Sequence, residues 1–69
     1  MTDSDRFKDV RAVYRALWDA YQVISHKNAE LLRAGHRPSE AALAEEQRAA
    51  VDVTVARDAL LAAIARLGH

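Results

Sequence analysis

These 69 residues predict an all-α fold, a two-helix antiparallel hairpin forming a single domain over residues 1–69. Two observations carry that expectation. Helix-breaking residues cluster at one internal place, Gly35-His36-Arg37-Pro38, with the other glycine, Gly68, next to the end. On both sides of this cluster the apolar residues return at helical spacing, with no strand-like alternation.

Helix 1 is expected over residues 4–34. Thr2, Asp3 and Ser4 offer alternative caps, and Asp3 and Asp5 suit the positive end of a helix dipole. At 100° per residue, Phe7, Val10, Val13, Tyr14, Leu17 and Trp18 fall with Tyr21, Ile24, Asn28, Leu31 and Leu32 in an arc of about 140°. Phe7, Tyr14 and Tyr21 repeat at seven, as do Val10, Leu17, Ile24 and Leu31, which makes a four-heptad seam. Asn28 interrupts it. A buried amide at such a position sets register in coiled bundles, whereas near a helix end it can equally be solvated.

The turn follows at residues 35–38. Gly35 has the freedom to take the left-handed conformation that closes a helix. Pro38 suits a first helical turn, or Ser39 caps the second helix with Glu40 just inside. Helix 2 is expected over residues 39–67, and each helix would be about 45 Å long. Its stripe comprises Leu43, Ala50, Val53, Leu60, Leu61, Ile64 and Leu67, flanked by Ala49, Ala56 and Ala63. Helix 1 is thus bulky and aromatic where helix 2 is rich in alanine, the large-against-small pattern of interdigitating helices. A short turn requires antiparallel neighbours. Such a hairpin sets Trp18 and Tyr21 near residues 50–54.

A chain this short buries little surface, and with no cysteine it has no disulfide staple. Two helices touching along one line cannot cover stripes of this width. Each large apolar side chain left wet forfeits roughly 1.5–3 kcal/mol. The expectation is therefore a homodimeric four-helix bundle whose interface and core draw on Phe7, Tyr14, Trp18, Tyr21, Ile24, Val53, Leu60 and Ile64. Trp18, near the stripe edge, is the aromatic placed to face a partner. Glu46 and Arg57 also lie on the helix 2 arc, symmetric about its midpoint. They either snorkel into water or form an interchain ion pair between antiparallel copies of helix 2.

Ten basic and ten acidic residues cancel, so no global charge draws the chain to nucleic acid or to an anionic membrane. Residues 1–37 carry seven Lys/Arg against five acids, and residues 38–69 three against five. No apolar run approaches the roughly 20 residues that span a bilayer. The polar, acidic start lacks the pattern of a secretory signal. Absence of cysteine fits a cytoplasmic protein.

Candidate chemistry is sparse. No nucleophile has a neighbouring base and no glycine-rich phosphate loop occurs, so neither enzyme activity nor a cofactor is expected. His26, His36 and His69 are scattered, and His26 with Glu30 offers only an i, i+4 pair, so no metal is expected. One flank of helix 1 is basic: Lys8, Arg11, Arg15, Gln22, His26 and Arg33 share a band about 60° wide. In a dimer, two such flanks would form a cationic strip for phosphates. The hairpin resembles, in architecture alone, the plasmid-type RNA modulators of the Rop kind, which dimerise into antiparallel bundles. Val51 and Val55, on the outer side of helix 2, offer a further apolar patch. Together these features lead to an expected function as a non-enzymatic protein–protein interaction or regulatory module. The alternatives are an RNA or nucleic-acid binder using the helix 1 flank, and a subunit that completes its core with an unidentified protein partner.

Overall fold

A computed structural model describes residues 2–68; His69 lies outside them. Two helices, α1 (Asp3–Arg33) and α2 (Glu40–Leu67), pack side by side as a hairpin 51 × 17 × 14 Å in extent. Each boundary follows from a residue that satisfies otherwise unpaired backbone groups. Thr2 caps α1: its hydroxyl accepts from the Asp5 amide at 3.1 Å, and the Asp5 carboxylate accepts from the Thr2 amide at 3.4 Å. This reciprocal pair is a capping box. Of the three caps the sequence offers, the first is used because only Thr2 has an acid three residues on that can answer it.

At the other end, Gly35 has φ +82°. The Gly35 amide donates to the Leu32 carbonyl at 3.0 Å and the His36 amide to Leu31 at 2.8 Å. Those two bonds form a Schellman motif, which consumes two terminal carbonyls and turns the chain back. Pro38 is buried in the turn rather than opening the helix. Ser39 is the cap of α2, its hydroxyl accepting from the Ala42 amide at 3.0 Å.

The seam of α1 is the expected one. Phe7, Val10, Tyr14, Leu17, Tyr21, Ile24, Asn28 and Leu31 are buried or half-buried, spaced alternately three and four, with Ser25 and Ala29 half-buried beside them. The facing seam of α2 has the same spacing: Ala42, Glu46, Ala49, Val53, Ala56, Leu60 and Ala63.

This second seam corrects the expected stripe. Val53 and Leu60 face α1, but Leu43, Leu61, Ile64 and Leu67 are 47, 54, 46 and 45 % exposed. Alanine is what packs, with Ala56 and Ala63 at 6 and 4 %. The aromatic side chains of α1 leave room only for small residues opposite. A seam repeating every 3.5 residues drifts by about 20° per heptad on a straight helical wheel. The row Leu43, Ala50, Arg57 and Ile64 shares that sevenfold repeat, so it follows the seam along α2 and stays beside it from the first heptad to the last.

Candidate functional site

One long face of the hairpin carries Trp18, Leu32, Leu43 and Ile64 uncovered, while Val13, Val23, Val51 and Val55 are exposed elsewhere. On α1, Arg11, Trp18, Ser25 and Leu32 stand seven residues apart, immediately beside the seam. On α2, Leu43, Ala50, Arg57 and Ile64 do the same. Two grooves between the helices show that these rows share one side. The first is lined by Tyr14, Trp18 and Tyr21 from α1 and by Ala50, Val53, Thr54 and Arg57 from α2. The second, toward the turn, joins Ser25, Asn28, Ala29 and Leu32 to Pro38, Leu43 and Glu46.

Antiparallel pairing then gives four rungs: Leu32–Leu43 nearest the turn, Ser25–Ala50, Trp18–Arg57, and Arg11–Ile64 toward the termini. Trp18 is 39 % exposed and Leu32 62 %. The Trp18 ring lies against Tyr21, centroids 5.8 Å apart and planes tilted by 32°, which braces one side of the indole while the other faces solvent. No large side chain among the described residues is fully buried. The core within one chain is a thin line of half-covered groups.

Asn28 is the polar exception, 4 % exposed in the seam. Its amide nitrogen donates to the Glu46 carboxylate at 2.9 Å and to the Ala42 carbonyl at 3.3 Å. Sequence reasoning raised both residues separately and missed that they meet. The signal was present, since both sit at seam positions, 18 residues apart, across a turn of known length. Glu46 is therefore half-buried between the helices, not extended from the stripe edge, and one of its oxygens is engaged within the chain. Arg57 is exposed and lines the Trp18 groove.

Of the expected interface and core residues, Phe7, Tyr14, Tyr21, Ile24 and Leu60 are half-buried and Val53 is buried. Trp18 and Ile64 are exposed. The structure therefore brings the first group together inside one chain and turns the last two outward.

All six residues of the helix 1 flank, Lys8, Arg11, Arg15, Gln22, His26 and Arg33, are exposed. Glu30 is shared between two of them: its carboxylate lies 3.8 Å from His26 and pairs with Arg33. The basic strip is thereby partly neutralised near the turn and concentrated at Lys8, Arg11 and Arg15. Val51 and Val55 are 55 and 64 % exposed on the back of α2.

Three side-chain hydroxyls turn to the backbone: Thr2 and Ser39 cap helices, and Thr54 donates to the Ala50 carbonyl at 3.0 Å. Among the described residues no three His, Asp or Glu side chains gather where they could hold a metal ion. No helix among them is long and apolar enough to cross a membrane.

No family model, curated protein or solved structure matches the chain.

Proposed function

We propose that the chain is a non-enzymatic interaction module. In this reading it self-associates into a homodimeric four-helix bundle and acts as a small regulatory or accessory subunit through the outer surface of that bundle. The observation that supports it is the concentration of large, wet apolar groups on one face: Trp18, Leu32, Leu43, Leu61 and Ile64, each between 39 and 62 % exposed. A contiguous apolar patch is the usual mark of a protein-contacting surface. Tryptophan is enriched among the residues that anchor such contacts. Sedimentation and light scattering test the reading. A dimer at micromolar concentration is expected, and Leu43→Glu with Ile64→Glu should reduce the mass to that of one chain. A folded wild-type monomer at that concentration sinks the reading.

A second reading, an RNA or nucleic-acid binder, is favoured by the three exposed cations Lys8, Arg11 and Arg15 on the first half of α1. It requires retention on RNA that weakens linearly with the logarithm of salt concentration. Retention should be lost when all three are replaced by glutamine. No retention of the wild type at low salt removes it.

A further inference from the structure

We propose that the occupant of the Trp18 face is a second copy of the chain, docked end for end. The twofold axis crosses both hairpins at mid-length, so that each Trp18 seats over Ser25 and Ala50 of the other copy. The proposal rests on the self-association reading above and adds direction and register to it.

Volume argues for this direction. Along the face the rungs run large at Leu32–Leu43, small at Ser25–Ala50, large at Trp18–Arg57, and mixed at Arg11–Ile64. An axis parallel to the helices would stack each rung on its own copy. Two indoles and two guanidinium groups would crowd into one layer, and the next would hold only serine and alanine. Overfilled and empty layers both destabilise a packed interface. Turning one hairpin end for end instead lays the Trp18–Arg57 rung on the other copy's Ser25–Ala50 rung. Bulk then meets vacancy twice, once on each side of the axis. The same operation lays Leu43 beside the other copy's Ile64, so apolar groups left wet in the single chain cover each other.

Charge points the same way. Glu46 lines one groove of this face, with Arg37 from the turn, and Arg57 lines the other. In the end-for-end arrangement Arg57 reaches the level of the other copy's Ala50. Glu46 is four residues farther along, about 6 Å of helix, within reach of a guanidinium. Only one Glu46 oxygen accepts from Asn28, which leaves the other for the arginine. A parallel axis would keep both Arg57 at one level and both Glu46 at another, about 16 Å of helix away, so the two could not pair between copies.

The face is also of the right order of size. A face 51 by 17 Å is about 870 Å² in plan, against the roughly 800 Å² per partner of a standard stable interface.

The chain has no cysteine, so one introduced thiol reports the direction. His36→Cys places a nitroxide label in the exposed turn, and pulsed dipolar spectroscopy is combined with light scattering. A dimer whose labels are separated by nearly the 51 Å length of the hairpin is expected. A dimer with labels closer than about 25 Å, as helix layers about 10 Å apart would place them, overturns the direction and leaves self-association standing. A monomer at about 100 µM, where even weak dimers populate, overturns both. An assembly larger than two overturns the closed twofold arrangement.

Register is read separately by Ser25→Leu, which fills the proposed seat. The dimer dissociation constant should rise by about tenfold or more, with helical circular dichroism retained. An unchanged dissociation constant overturns the seat. The charge term is isolated by Arg57→Gln and Glu46→Gln, the latter keeping an oxygen for Asn28. Each should weaken the dimer by roughly fivefold and the two together no further; additive losses overturn the pair.

Discussion

Asn28 is the residue on which the two helices agree. A primary amide nearly dry in an apolar seam is tolerated because its hydrogens are taken by Glu46 and by the Ala42 carbonyl. Removing the donor leaves a carbonyl and a half-buried carboxylate without their partner, and an unmet buried acceptor costs more than a made hydrogen bond contributes. Asn28→Ala should therefore lower the urea unfolding free energy by about 2 kcal/mol at fixed protein concentration. Glu46→Gln, which still offers an amide oxygen, should cost less than half as much. Equal losses from the two substitutions would show that the Asn28–Glu46 bond is not what holds this site. The same contact also sets the register of the hairpin. A slip of α2 by one turn would carry Glu46 about 5.4 Å past its donor.

At the level of elements, the turn is the feature that makes two rods a hairpin, and Gly35 is its hinge. A Cβ added there meets no atom within 4 Å, yet φ is +82°. The penalty for any side chain is therefore conformational alone. Gly35→Ala should destabilise by about 1 kcal/mol, and Gly35→Asn by less, because asparagine tolerates the left-handed region better. Thermal denaturation of the three proteins at one concentration checks this order, and a more stable alanine variant would contradict it.

These local signals were plain in the amino-acid string. Gly35 marks the turn, Thr2 and Ser39 are among the alternative caps the string offers, and the sevenfold return of Phe7, Tyr14 and Tyr21 marks the seam of α1. The facing side of α2 was not. Hydropathy ranks leucine and isoleucine above alanine, so Leu43, Leu61 and Ile64 look like core. Yet the space beneath tyrosines and phenylalanine admits only Ala49, Ala56 and Ala63. A residue's burial here depends on the volume opposite it, and that is a property of the pair of helices. The candidate interaction face was legible only through Trp18, whose place at the stripe edge follows from angle alone. Its groove neighbours on α2 became identifiable once the alanine seam had rotated the leucines outward.

For the molecule as a whole, the narrow seam limits how much apolar surface one chain removes from water. In the proposed dimer, stability is linked to association, because a species that binds only the folded state raises its apparent stability with concentration. The thermal midpoint should rise measurably when protein concentration is raised from about 1 to 100 µM. A constant midpoint over that range would mean that the single hairpin is self-sufficient.

The tight turn also dictates an order of events. The Asn28–Ala42 bond joins residues 14 apart in the chain, whereas Arg11 and Ile64 are 53 positions apart. Closing a loop costs more entropy the longer it is. The hairpin therefore zips from its bend toward its open end and frays in the reverse direction. Amide hydrogens around Leu31 and Glu46 should exchange with deuterated solvent most slowly, and those near Phe7 and Leu60 sooner.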